Sequence, residues 1–306
     1  MRLSVVIATY NRCESLIQTL QSIAEQRGID KADYEIIVVD NNSTDRTKET
    51  VEWFKGSFCG NLMYLFEQRQ GRTFALNKGI ELAKGGIIAC TDDDCRVDQN
   101  WLSEINKAFS ARDIDLLAGK VIAVFDSELP SWLDINALHG PLAHHDKGDK
   151  YFENDDTRKI LTTGANMIFR RTSVEKFGNF YFSGRDQDTE LAYRWANLGA
   201  KIAYAPTVIV RHYNDPARLT KKYFRKWYFL TGKNYSIIFK AKFSSERGFK
   251  RVPRWILKEF LLAIMNYIKS VCFLKKDTFY HETQFYYYCG LILGYYGHTT
   301  KSENLR

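Results

Sequence analysis

Asp92, Asp93 and Asp94 stand in a row directly after a short apolar run, GIIACT at 86–91. Adjacent carboxylates repel one another, and their charged forms are disfavoured without a compensating cation. A hard divalent ion, held by one or two carboxylates and by a substrate's phosphates, would supply that charge. The plainer alternative is a solvated turn that opens the following helix, WLSEINKAF. A second acidic group lies in SGRDQDTELAYRW, 183–195, where Asp186, Asp188 and Glu190 precede or open a helix. The helix dipole alone favours acids at that place. A carboxylate there that reaches a bound hydroxyl would also serve as a general base. Asp188 and Glu190 are two residues apart, so they are not expected to play the same part. A third group is VIVRHYND, 208–215, where His212 follows a β-branched run and would become a ligand if a metal lay nearby.

These groups need a scaffold, and the hydrophobic pattern supplies one. LSVVIA (3–8) reads as a buried strand ended by TYNR, and 13–26 has helical spacing, with Leu16, Leu20 and Ile23 on one face. YEIIVV (34–39) is a second strand, ended by DNNSTD, where Ser43 or Thr44 is expected to cap a helix through Trp53 and Phe54. NLMYLF (61–66) is a third strand, TFALNKGIELAK (73–84) a helix stopped by glycines, and GIIACT a fourth strand. Strands that alternate with helices predict an α/β fold with a mostly parallel sheet, and near-continuous apolar strands predict that both of its faces are covered. In such sheets ligands bind outside the carboxyl ends of the strands. TYNR, DNNSTD and TDDD all fall at such ends, which gathers Thr9, Asn11, Arg12, Asp40, Asp92, Asp93 and Asp94 along one rim. Position after a buried strand is also what argues against the solvated-turn alternative for the three aspartates.

The sequence contains neither a G-x-G-x-x-G nor a G-x-x-x-x-G-K-[ST] pattern, so a metal and basic side chains must hold any phosphates. Its ordered pieces resemble the family 2 glycosyltransferases, which have the GT-A fold. SVVIATYNR, EIIVVDNNSTD, QGRTFALNKGIELAKGGIIACTDDD, TTGANMIFRR and GRDQDTELAYRWANLGAKIAYAP follow the family's order over about 1–215. The resemblance implies an inverting transfer of sugar from a nucleotide-diphosphate sugar, UDP-linked by default, to a hydroxyl of a glycan or a lipid-linked acceptor, in the synthesis of a surface polysaccharide or glycolipid. It implies Asp188 as the base and Mn²⁺ or Mg²⁺ on Asp94, Asp92 and His212. It further implies Thr9, Asn11, Arg12, Asp40, Arg72, Asp92 and Asp93 at the nucleotide, and Asn166 and Arg185 near the acceptor. There are two departures: Gln187 stands where relatives often have Glu, and Asn41 where many have a second Asp. The first leaves Asp186 as a substitute candidate for the base.

The 306 residues carry a net charge of +8, unevenly spread. Residues 1–210 hold 25 basic and 30 acidic side chains, whereas 211–306 hold 19 basic and 6 acidic ones together with 22 of the 44 aromatics. Two parts are expected, a GT-A domain at 1–215 and a basic, aromatic, helical region at 216–306. In 218–243, Lys221/Arg225 and Lys222/Lys226 fall at i,i+4 and make a basic helix face. In 256–274 the polar residues Lys258, Glu259, Asn266, Lys269 and Ser270 share one arc of a helix that is otherwise apolar. QFYYYCGLILGYYG (284–297) is rich in Tyr, which favours the membrane–water interface. An anchor on an anionic membrane surface fits these features, against a helical lid or dimer surface and against a nucleic-acid patch; nucleic acid is not expected as a partner.

No apolar run reaches the ~20 residues of a spanning helix. The N-terminal run reads as a strand rather than a signal peptide. The six cysteines show no zinc spacing and read as reduced, mostly buried thiols. The expected location is therefore cytoplasmic, peripheral on the cytoplasmic face of a membrane. Two rivals are weaker. A nucleotidyltransferase would carry a glycine-rich basic loop after the first strand, where TYNRCESL stands. A non-catalytic binding protein would have no need of Asp40, Asp92, Asp94, Asp188 and His212 together.

Overall fold

A computed structural model describes residues 2–153, 162–181, 186–243 and 252–296. The chain divides into two compact units. One comprises Met1–Asp126, Ala143–Ser183 and Gln187–Asn214; the other comprises Ser127–Leu142, Gly184–Asp186 and Asp215–Arg306.

The first unit begins β1 (Leu3–Thr9), α1 (Cys13–Ala24), β2 (Tyr34–Asp40), α2 (Thr47–Ser57), β3 (Asn61–Phe66), α3 (Arg72–Leu82) and β4 (Ile87–Asp92). It continues with β5 (Cys95–Val97), α4 (Trp101–Ala111), β6 (Leu116–Val124), β7 (Phe152–Glu153), β8 (Met167–Arg170), α5 (Arg171–Phe177), α6 (Gln187–Asn197) and β9 (Ile202–Tyr213). The strands form one sheet in the order β3-β2-β1-β4-β8-β6-β9-β5, with β7 beside β9. The β3–β2–β1–β4 half is parallel, as the alternating pattern predicts. Beyond it the sheet is mixed: β8 runs antiparallel to both β4 and β6, and β5 antiparallel to β9.

Burial explains the strand sequences. Every residue of β2 and all but one of β1 is buried, because apolar layers cover both faces. On one face Leu16, Leu20 and Ile23 of α1, Val51 and Phe54 of α2, and Trp101, Ile105 and Phe109 of α4 pack on Val5, Ile7, Ile36 and Val38. On the other, Leu76 and Ile80 of α3, Phe177 of α5, and Leu191 and Trp195 of α6 pack on Val6, Ile37 and Val39. The 13–26 helix ends at Ala24 and the 73–84 helix runs over Arg72–Leu82, shifts of a residue or two at their ends.

The second helix differs more. It starts at Thr47, and neither Ser43 nor Thr44 caps it. Asp45 does: its Oδ1 accepts from Thr47 N (3.0 Å) while its Oδ2 accepts from Cys13 N at the start of α1 (3.0 Å). One carboxylate thus serves two helix starts and favours both dipoles. Ser43 and Thr44 instead bond Asn11.

The second unit contains α7 (Lys221–Phe243), α8 (Arg254–Cys272) and α9 (Thr278–Tyr296). Gly232 of α7 and Gly290 of α9 let these helices meet backbone to backbone, since a Cβ on either would clash with the partner helix's main chain. Trp132 packs edge-on against Phe224 and Phe279 (5.2 and 4.7 Å between ring centres). The expected basic face of α7 is partly neutralised, because Arg225 makes a two-point ion pair with Glu282 of α9 (2.7 and 3.1 Å). On α8 the expected polar arc is also modified: Ser270 is buried, and its hydroxyl donates to Tyr267 O (2.7 Å). Among the cysteines Cys90 and Cys95 are buried, but Cys272 and Cys59 are exposed. No described helix is long and apolar enough to cross a membrane.

Candidate active site

Register fixes the rim. Thr9 pairs with Asp40, and Ala8 with Asp92, so the ends of β1, β2 and β4 lie level. Asn11 follows in the left-handed region (φ 52°), which asparagine tolerates, and its Oδ1 accepts from Thr44 N (2.7 Å) and Asp45 N (3.3 Å). The two loops that end β1 and β2 are therefore tied by one side chain. Asp40 is buried; its Oδ1 accepts from Ser43 N (2.8 Å) and its Oδ2 from the Tyr64 hydroxyl (2.7 Å).

Asn41 does work that an aspartate could not. Its Nδ2 donates to Glu67 O (3.2 Å) and Arg69 O (2.6 Å), and its Oδ1 accepts from Gly71 N (2.7 Å). The 67–71 loop that leads to Arg72 is held this way, and it is held a second time by Glu67, whose carboxylate pairs with Arg69 (2.9 and 3.1 Å). The Arg69 bonds draw the Glu67 carboxyl down to about 2, against the opposing effect of burial.

The three aspartates part company. Asp92, the last residue of β4, pairs with Arg72, whose guanidinium also donates to Gly164 O (3.3 Å). Asp93 and Asp94 form the turn into β5 and share Arg12: its Nη1 lies 3.1 Å from Asp93 Oδ1 and 2.5 Å from Asp94 Oδ2. Burial, with Asp94 and Asp92 close by, pushes the Asp93 carboxyl up to about 6 despite Arg12. Asp94 Oδ1 also lies 3.2 Å from His212 Nε2. Antiparallel pairing sets His212 directly opposite Cys95, so Asp94, Cys95 and His212 bring potential ligand atoms within 4.8 Å of one another. His212 is buried, and its Nδ1 has no hydrogen-bond partner among the described residues. A carboxylate and an imidazole with an unused nitrogen fit a divalent cation, whereas burial keeps the adjacent Cys95 thiol protonated and a poor ligand for a hard ion. Of the residues expected at such an ion, Asp94 and His212 are brought together, whereas Asp92 is committed to Arg72. Cys95 was not among the sequence candidates; a lone cysteine after three aspartates gives no spacing signal.

Asp188 lies in the first turn of α6, half-buried. Its Oδ2 accepts from Gly164 N (2.7 Å) and its Oδ1 from Thr189 N (2.9 Å), while Thr162 Oγ1 donates to its main-chain oxygen (3.2 Å). Burial raises its carboxyl above the usual range; Arg72 and the two N–H groups oppose that rise, and Asp92 adds to it. Gly164 admits the arrangement, because a Cβ there would come 2.6 Å from the Arg72 guanidinium. Arg72 thus pairs with Asp92 and also feels the charge of Asp188.

Three expected residues fall elsewhere or are tied otherwise. Asn166, expected near the acceptor, is fully buried, with Nδ2 donating to Lys120 O (3.0 Å) and Val208 O (2.9 Å) and Oδ1 accepting from Trp101 Nε1 (2.9 Å). Its amide fills the space where Gly119 has no side chain. Asp186, the substitute base, accepts from Asn234 Nδ2 (2.9 Å) in the second unit. Arg185 lies outside the described residues. Gln187 is buried and accepts from Thr73 Oγ1 (3.3 Å), so the missing charge is replaced by a neutral bond to α3.

Known proteins resemble this chain in sequence and in fold. The family model for glycosyl transferase family 2 matches residues 4–178. The glycosyltransferase AglE of Haloferax volcanii is 27% identical over 271 residues, 87% of this chain and 84% of that protein. The succinoglycan biosynthesis protein ExoM of Rhizobium meliloti is 23% identical over 244 residues, 79% of this chain and 76% of that protein. Among solved structures, the mannosyltransferase PcManGT of Pyrobaculum calidifontis, in complex with GDP-Man and Mn²⁺, superposes with a TM-score of 0.58 at 18% identity, over 96% of this chain and 73% of that one. The shared architecture is the GT-A fold.

Proposed function

The chain belongs to glycosyl transferase family 2 and is a glycosyltransferase, and from that premise we propose that it moves a sugar from a nucleotide-diphosphate sugar to a hydroxyl of a glycan or lipid-linked acceptor, with inversion, in building a surface polysaccharide or glycolipid. One observation carries the reading. A half-buried carboxylate, Asp188, is held by Gly164 N–H in the same unit as Asp92 and its partner Arg72.

In the proposed step the acceptor oxygen attacks the anomeric carbon as the bond from that carbon to the diphosphate oxygen breaks. The electron pair leaves with the nucleoside diphosphate, and the acceptor's proton passes to Asp188. Two main-chain N–H groups fix the carboxylate in place, and each of its oxygens keeps a lone pair for the incoming hydroxyl. Burial makes it a stronger base than a solvated aspartate. Arg72 and Arg12 are the cations nearest to the leaving group in this reading, and Thr9, Asn11, Asp40 and Asp93 belong to the nucleoside side of the rim. Asp94 and His212 would hold Mn²⁺ or Mg²⁺. When bound, such an ion supplies positive charge for the departing diphosphate. The complex of PcManGT with GDP-Man and Mn²⁺ supports this assignment by its fold alone.

The test is a thermal-shift panel of nucleoside diphosphates and nucleotide sugars, each with Mn²⁺, Mg²⁺ or EDTA. A ligand that binds only the folded state at 100 times its Kd stabilises by ~2.7 kcal/mol. A shift with one nucleotide that disappears in EDTA is the expected result and identifies the donor's base. A folded protein that shifts with none of them overturns the reading.

A further inference from the structure

Helix α8 carries an apolar face that stays exposed among the described residues of its unit. Ile256, Ala263 and Ser270 recur every seven residues and are buried. Phe260 and Tyr267 stack on Phe285 of α9 (5.9 and 6.4 Å between ring centres), so this side of α8 packs on α9. The outward side should then be polar, as on an ordinary surface helix. It is not. Leu257, Leu261, Met265, Ile268 and Val271 follow at spacings of four, four, three and three residues, and all are exposed, Leu261 to 61%. Phe273 and Leu274 extend the row past the helix end at 74% and 90% exposure. Exposed cations flank it: Arg254 and Lys258 at one end, Lys269, Lys275 and Lys276 at the other.

We propose that this face of α8 lies in the plane of an anionic lipid surface, with Leu257, Leu261, Met265, Ile268, Phe273 and Leu274 among the acyl chains and the flanking lysines on the headgroups. Three features select lipid. The helix is too polar to span a bilayer, yet its exposed side is too apolar for water. The cations border the row at both ends, where an in-plane helix meets phosphate. A second copy of the chain is a poorer occupant, because antiparallel pairing of two such faces would set Arg254 and Lys258 beside Lys269 and Lys275 of the copy, cation against cation. The membrane binding stands on the surface itself; its purpose, to bring the enzyme to a lipid-linked acceptor, rests on the proposed transferase reading.

The test is co-sedimentation of the full chain with vesicles of phosphatidylglycerol and phosphatidylcholine, against vesicles of phosphatidylcholine alone. The wild type should pellet with the anionic vesicles and remain in solution with the neutral ones. The triple variant L261D/M265D/I268D, whose residues are all exposed, should lose about tenfold or more in partitioning. The double variant K258E/K269E should weaken binding in the same direction and reduce its salt dependence. Nucleotide-dependent thermal shifts of all three proteins report separately on the donor site and on folding. Wild type that stays in solution with both vesicles overturns the proposal, as does a folded triple variant that pellets undiminished. So does a vesicle-free dimer that the triple variant dissolves without any change in lipid binding.

Discussion

Arg12 Nη1 stands 2.5 Å from Asp94 Oδ2, and His212 Nε2 stands 3.2 Å from the other oxygen of the same carboxylate. Asp94 is thus shared between a fixed cation and the imidazole that would take a metal ion with it. Burial alone would lower the Arg12 guanidinium's affinity for its proton, but Asp93 and Asp94 more than offset that effect. The side chain is therefore a permanent countercharge for the turn, and it would compete with a divalent ion for Asp94.

Replacing it separates the two roles. Arg12→Ala leaves two buried carboxylates without their cation, which should cost about 1–3 kcal/mol of stability in EDTA, less than a fully buried pair because Arg12 is partly exposed. Added Mn²⁺ should restore more stability to the variant than to the wild type, and its Mn²⁺ affinity should rise as nucleotide affinity falls. Titration calorimetry with Mn²⁺ alone checks this; equal affinity in both proteins would show that Arg12 and the ion do not share Asp94.

Asp188→Asn should reduce transfer by at least ~10²-fold, the scale of general-base catalysis, while the nucleotide thermal shift stays within error. The amide keeps the shape and can still accept from Gly164 N–H, but it cannot take a proton. A pH–rate profile gives a second reading. The base works only when ionised, and burial raises its carboxyl, so the acid limb of the wild type should lie above the ~3.9 of an ordinary aspartate. Residual activity should lack that limb in the variant. A fully active variant would remove Asp188 as the base.

Asn166→Ala should behave as a structural lesion. Three buried hydrogen bonds end on this amide, and their loss leaves Trp101 Nε1 and the carbonyls of Lys120 and Val208 without it. The expected cost is about 2–5 kcal/mol, from unpaired buried groups and the void beside Gly119. Chemical denaturation measures it. An unchanged midpoint with a raised KM for acceptor would return Asn166 to the acceptor site.

The rim was legible because apolar runs stop abruptly at TYNR, DNNSTD and TDDD, and strand ends are where an open sheet binds. What lay beyond reach depended on turns and on distant partners. A strand would send Asp92 and Asp94 to one side, but Asp93 and Asp94 form a turn, so the alternation breaks there. Asp92 goes to Arg72 and Asp94 to Arg12 and His212. Asn166 reads the same in sequence whether its amide meets a sugar or three buried groups; only the missing side chain at Gly119 and the position of Trp101 decide. Asn41 departs from the family's second Asp, and what the sequence did not show is that its amide donates to two carbonyls.

Glu67 gives a test of the loop that leads to Arg72. Its carboxyl is held down at about 2, chiefly by the Arg69 bonds, so the folded state prefers the ionised form more strongly than the unfolded chain does. The resulting stability is fully present above the unfolded value of ~4.3, declines as pH falls below it, and is gone once pH passes below about 2. Glu67→Gln should therefore lower Tm at pH 7, modestly because Arg69 is largely exposed, and the gap to wild type should close as the pH is lowered from about 4 towards 2. Because Asn41 holds the same loop independently, nucleotide binding should survive at pH 7. Thermal melts of both proteins across that range decide the matter: a gap that stays constant with pH would mean the Glu67 side chain acts by packing rather than by its charge.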